Sequence, residues 1–160
     1  MGAEVLRHLS NFCILPEKGF VAGQSVCSAI LDLYFNKSGQ VYNDIDVFYD
    51  SKNAPTVHNL LAPLSYKKIT TTVNHTQSVY AQNVYGHIYV PNYHRYNVVN
   101  SQSMGMLNLV ECSFSDLQGA VRPISDIECL IDSFDFNCVQ VAVDLETKEL
   151  FWTKEFADFV

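Results

Sequence analysis

The chain has 160 residues, 48% of them hydrophobic and 17% charged, a balance that suits one folded domain over residues 1–160 and excludes a disordered chain. No apolar run approaches the ~20 residues of a membrane span, and Glu4, Arg7 and His8 interrupt the stretch that a signal peptide would keep apolar. Seventeen acids against ten bases give a net charge of −7, which excludes a broad basic face for nucleic acid.

The imbalance is local. Residues 1–110 carry six acids and seven bases, whereas residues 111–160 carry eleven acids and three bases. A polyanionic ligand would therefore be held at a small site, with metal ions supplying the positive charge. Cys13, Cys27, Cys112, Cys129 and Cys138 are odd in number, lie in apolar surroundings and include no CxxC pair, so reduced core cysteines in a cytoplasmic protein are expected. The five histidines form no HxH or HxxxH pair that would suggest zinc.

In chain order, Val5, Leu6, Leu9, Phe12 and Cys13 recur at helical spacing, which predicts an amphipathic helix within residues 2–15 that Pro16 stops. Gly19 to Gly23 reads as a short buried strand entering a tight turn. Ser25 to Lys37 follows as a helix, with Val26, Ala29, Ile30 and Leu33 on one face and Ser38-Gly39 ending it. Val41 to Tyr49 alternates and is rich in β-branched and aromatic residues, which predicts a strand. A turn around Pro55 and a helical turn or two between Val57 and Leu61 come next. Strands are expected near Ile69–Asn74, Ser78–Tyr80 and Gly86–Val90, with a turn at Pro91-Asn92. Met106 to Phe114 reads as a strand, Asp126 to Ser133 as a helix, Asn137 to Val143 as a strand and Phe151-Trp152 as another. Lys154 to Val160 reads as the opening of an amphipathic helix with little after it, as in a chain cut short at its C-terminus.

Three pieces carry chemistry. In the first, Gly23-Gln24-Ser25 joins a strand to a helix, where backbone N–H groups can cradle phosphate and glycine lets the backbone come close; a plain turn has the same composition. In the second, Asn43-Asp44-Ile45-Asp46-Val47, residues i and i+2 of a strand share a face. Asp44 and Asp46 then stand side by side, with Ile45 and Val47 buried behind them. Paired carboxylates on a strand repel unless the face is an exposed edge or a cation compensates, and hard oxygen ligands favour Mg²⁺ or Mn²⁺. In the third, Phe134-Asp135-Phe136, one carboxylate lies between two aromatics, an arrangement that also suits a cap or turn after the preceding helix.

Val21-Ala22-Gly23-Gln24-Ser25 followed by Asp44-Ile45-Asp46 resembles the signature of the nucleotidyltransferase superfamily, the polymerase β-like fold. That signature is a glycine turn, a helix, Asp-x-Asp on the next strand and a third carboxylate on a later one. The segment Cys129 to Val143, with its SFDF stretch, resembles the second half of short nucleotidyltransferase-like proteins of bacteriophages and other large DNA viruses. The resemblance covers residues 19–50 and about 105–153. It departs from the signature at Gln24, which separates Gly23 from Ser25, and in the 18 residues between Ser25 and Asp44.

The resemblance implies an α+β fold with a mixed sheet of about five strands flanked by helices. It also implies metal-dependent transfer of a nucleoside monophosphate from an NTP to an acceptor, macromolecular or otherwise. Asp44, Asp46 and Asp135 would hold two Mg²⁺ or Mn²⁺ ions, with Asp135 also orienting or deprotonating the acceptor hydroxyl. Gly23, Gln24 and Ser25 would bind the nucleotide's phosphates. Glu111, on the strand Met106–Phe114, competes for the third carboxylate, although its neighbours Val110 and Cys112 point to an outward side chain. Arg95 and Arg122 are candidates for phosphate contacts. Tyr80, Tyr85, Tyr89, Tyr93 and Tyr96 suit a stacking platform less well than half-buried strand positions. The alternative is a catalytically silent member of this fold that acts by binding a host or viral protein, with the acidic segment 111–160 as its contact surface, since fold does not fix function.

Overall fold

The computed structural model describes residues 1–13, 15–37, 39–40, 42, 44–53, 55–57, 66–70, 79–83, 86–98, 106–116, 121–123, 127–132, 134 and 136–160. Helix α1 (Gly2–Leu9) buries Val5, Leu6 and Leu9. It ends earlier than the apolar spacing predicts, at Ser10, whose hydroxyl donates to Leu6 O at 2.7 Å. Phe12 and Cys13 follow in turns that bond back to Leu9 O. Strand β1 (Phe20–Ala22) leads through Gly23 into helix α2 (Gln24–Tyr34), and strand β2 (Asp44–Tyr49) carries the paired aspartates. A 3₁₀ turn at Ser51–Asn53 follows, and residues 55–57 are helical.

The middle of the chain is strand. β3 (Tyr66–Thr70), β4 (Val79–Asn83) and β5 (Gly86–Val98) precede β6 (Met106–Asp116) and β7 (Val121–Pro123). The turn expected at Pro91-Asn92 is instead the interior of β5, which shifts register against β6 between Tyr89 and Asn92. A bulge of this kind is where a strand accommodates a proline, which has no N–H for the ladder. Helix α3 (Ile127–Asp132) comes next. A 3₁₀ turn (Asn137–Val139) replaces the start of the strand expected from Asn137, so β8 spans only Val141–Asp144. β9 (Leu150–Trp152) and helix α4 (Lys154–Phe159) complete the order. Thr153 caps α4, its hydroxyl accepting from Phe156 N–H at 3.1 Å.

The fold is α+β, with a mixed sheet flanked by helices as expected, and the sheet extends to nine strands among the described residues. Its order is β3-β5-β6-β2-β1-β8-β9, with β4 beside β5 and β7 beside β6. The pairing of β2 with β6 is parallel, whereas β1 pairs antiparallel with both β2 and β8.

Alternation along the strands divides the core between two faces. Val21, Ile45, Val47, Tyr49, Leu107, Leu109, Val141 and Val143 pack with Val5, Leu9, Val26 and Ile30 of α1 and α2. Ala22, Phe48, Val110, Cys112 and Ala142 pack on the opposite side with Leu130 and Ile131 of α3. No helix among the described residues is long and apolar enough to cross a membrane.

Candidate functional site

The site lies where β1 ends beside β2. Ala22 pairs with Asp46, so Gly23 sits one residue beyond that pair and Asp44 two residues along the neighbouring strand. With ~3.4 Å per residue and ~4.8 Å between strands, all three share one small region of the sheet. Gly23 has φ 94° and ψ −149°, a conformation that glycine adopts without strain. Its N–H donates to Val141 O at 3.0 Å, tying the turn to β8, and its carbonyl accepts from Cys27 N–H as the first bond of α2. A Cβ added at Gly23 would meet no atom within 4 Å, so backbone conformation, not crowding, requires glycine here, and the space beside it is open.

A cleft of about 220 Å³ opens at this point, lined by Ala22, Gly23, Gln24, Asp46, Phe48, Phe134 and Val139. Phe48 and Phe134 form its aromatic wall, with ring centroids 5.7 Å apart. Gln140 braces that wall: its amide donates to Phe134 O at 3.0 Å, and its side-chain oxygen accepts from the Thr153 hydroxyl at 2.9 Å. Gly23, Gln24 and Asp46 are thus brought together. Ser25 is not among the lining residues; it is buried in the first turn of α2, and its hydroxyl has no hydrogen-bond partner among the described residues. Asp44 is half-buried and, by alternation, on the same sheet face as Asp46.

The parallel register places a residue that sequence reasoning missed. Asn108 pairs with Asp46 across β2 and β6, and its amide donates to Asp46 Oδ1 at 2.7 Å. Asn108 is 5% exposed, so this charge-assisted bond is shielded from solvent. No local motif marks it: the two residues are 62 positions apart in the chain, and only the pairing of β2 with β6 joins them.

The same register corrects the reading of Glu111. Glu111 pairs with Tyr49, which packs on the α1/α2 side of the sheet. Asp46, Asn108 and Phe48 have the opposite parity. Glu111 is therefore turned away from the aspartate pair, and at 9% exposure it is buried, not outward. Its flanking residues, Val110 and Cys112, belong to the apolar cluster on the aspartates' side and do turn the residue between them to the other face; that face is buried because α1 and α2 cover the sheet there.

Asp135 lies outside the described residues, as do the side chains of Arg95, Arg122 and the tyrosines between residues 80 and 96. Among the described residues, no group of three or more His, Cys, Asp or Glu side chains could hold a metal ion. The donor set that is present consists of two carboxylates, Asp44 and Asp46, and the Asn108 amide oxygen, which is buried with no partner among the described residues. These are hard oxygen donors of the kind that Mg²⁺ or Mn²⁺ accepts, and the position alongside Asp46 on the neighbouring strand carries a neutral amide and no third carboxylate.

A family model described as "Gad2: Gabija anti-defense 2 family protein" matches residues 4–158. No curated protein matches the chain.

Proposed function

We propose, because the chain belongs to the Gabija anti-defense 2 family, that it is a phage protein that blocks a host defence by binding one of its protein components. The observation that carries binding over catalysis is the family match over residues 4–158, since opposing a host defence requires contact with one of its proteins. At the cleft, the neutral Asn108 amide holds Asp46 at 2.7 Å, which fixes that carboxylate without adding negative charge beside it.

The test uses phage infection of cells that carry the Gabija system and express this chain or its Asp44→Asn, Asp46→Asn double variant. The expected result is that both chains protect the phage equally. Loss of protection in a double variant that still folds would overturn the binding reading.

A second reading, metal-dependent nucleotidyl transfer to an acceptor, is favoured by one observation: Gly23, Gln24 and Asp46 line a single cleft. On that reading Asp44 and Asp46, with Asp135, would hold Mg²⁺ or Mn²⁺, which would supply charge neutralisation for the triphosphate. Gly23, Gln24 and Ser25 would contact the phosphates at the start of α2. Thermal-shift titration with each NTP and Mn²⁺ distinguishes the two readings. Nucleotide binding raises stability by about 2.7 kcal/mol at a hundredfold excess over Kd; a silent fold shows no shift.

A further inference from the structure

Three of the large exposed apolar side chains belong to the segment that holds the terminal strand β9, while Met1, Tyr34 and Phe35 lie on or beside α1 and α2. Phe136 is 69% exposed, Trp152 54% and Phe159 47%. Single exposed hydrophobics are ordinary on a protein surface, but these three belong to elements that are tied together in turn. Trp152 sits on the terminal strand of the sheet, paired with Val141. The next residue, Thr153, bonds through its N–H to Gln140 O at 3.2 Å. Phe136 precedes the 3₁₀ turn at Asn137–Val139, which packs against α4, the helix that ends in Phe159.

The charge around them has one dominant sign. Glu149, Glu155 and Asp158 are exposed on β9's approach and on α4, and Asp132 is exposed at the end of α3. Lys148 and Lys154 are the exposed bases of residues 132–160.

We infer that this aromatic and acidic surface at the β9–α4 edge is the face that docks the host protein, and that the partner presents an arginine-bearing surface. The inference rests on the binding reading given above. Arginine suits both features of the surface: its guanidinium stacks on aromatic faces and pairs bidentately with carboxylates. Lysine makes only a point-charge contact there. Interface energy concentrates in tryptophan and other aromatic anchors surrounded by polar residues, and here the exposed carboxylates of the same segment would steer a basic partner inward. The cleft at Gly23 and Asp46 has a separate set of lining residues, so the two surfaces can be tested separately.

The experiment measures binding of the chain to purified Gabija proteins at ~0.05 M and ~0.5 M salt, which brackets strong and weak screening. Two surface variants are compared with wild type: Phe136→Ser, Trp152→Ser, Phe159→Ser together, and Glu149→Lys, Glu155→Lys, Asp158→Lys together. Thermal melts establish that each folds. Trp152→Ser alone serves as a milder variant, and Lys52→Ala, exposed on the 3₁₀ turn after β2, as a control. The expected result is that wild-type binding weakens with salt, each triple variant loses about tenfold or more in affinity, and Lys52→Ala binds as wild type.

Trp152 is also the only tryptophan in the chain, so fluorotryptophan labelling gives one ¹⁹F signal, which should shift on binding. Wild type that binds while both triple variants bind equally well, with an unmoved ¹⁹F signal, overturns the surface assignment and leaves the binding reading intact. Wild type that binds no Gabija protein yet still protects phage overturns the binding reading, and the surface assignment with it.

Discussion

Replacing Asn108 by aspartate tests the geometry at the centre of the site. The substitution conserves shape but exchanges a hydrogen bond for a repulsion. The lost bond, 2.7 Å long with a carboxylate acceptor, is of the charge-assisted kind that contributes about 1.5–3 kcal/mol. Two carboxylates at ~4 Å repel by about 4 kcal/mol at an effective dielectric near 20. The folded protein escapes part of this by keeping a proton on one of the pair, so Asn108→Asp should cost about 2–4 kcal/mol at pH 7.

The pH dependence has a definite sign. The pair's folded-state proton affinity is raised above that of the unfolded chain, so the native state binds more protons, and the deficit shrinks as pH falls towards the ordinary carboxylate range. Urea unfolding at pH 7 and pH 5 measures both effects, and millimolar Mn²⁺ at pH 7 should recover part of the loss by replacing the missing proton. A variant as stable as wild type at pH 7 without a divalent cation would mean that Asn108 does not face Asp46, and the account of the site would fall.

Further predictions follow from particular residues. Gly23→Ala meets open space and carries only backbone strain, about 1–3 kcal/mol. Gly19→Ala should melt lower still, because its Cβ would lie 2.8 Å from Phe48 O at φ 109°; thermal melts of the two variants give the order. Burial pushes the Cys27 thiol up to about 11, so only ~1% is thiolate at pH 9, and mass-spectrometric mapping of thiol labelling should find half-buried Cys138 modified well before Cys27 or Cys112. Tyr42→Phe keeps the ring stacked on Phe12, with centroids 4.4 Å apart, but removes the hydroxyl that donates to Asp32 at 2.5 Å and contacts His8 at 3.0 Å. A loss of about 1–2 kcal/mol in denaturant unfolding is expected.

What the sequence revealed of this site was local. Period-two alternation placed Asp44 and Asp46 on one strand face with Ile45 and Val47 behind, and the structure has that arrangement. The glycine turn between β1 and α2 was equally legible, because a glycine between a buried strand and a helical stripe is a local signal. Asn108 was not legible, since an asparagine in a strand acquires its role only from the register of a strand far away in the chain. The burial of Glu111 was not legible either: its apolar neighbours turn it to the other face, but nothing local shows that α1 and α2 cover that face. Pro91 read as a turn because its missing N–H argues against a strand, and the bulge that admits it is a property of the pairing with β6.

The order of strands also sets when this protein can fold during its synthesis. β1 lies between β2 and β8, pairing Phe20 with both Phe48 and Asp144. The other side of β2 is covered by β6, beginning with Asp44 opposite Met106. When the ribosome has made β1, α2 and β2, neither outer edge of that pair has its neighbour. The last of those neighbours emerges roughly 100 residues later, on the order of 5–20 s at bacterial elongation rates. During that interval a two-stranded ribbon, too small to be stable alone, holds its apolar face against α2 with both edges open. Within the ribbon the aspartate pair is a self-protecting device, because its charges discourage the edge-to-edge pairing that uncovered strands otherwise invite.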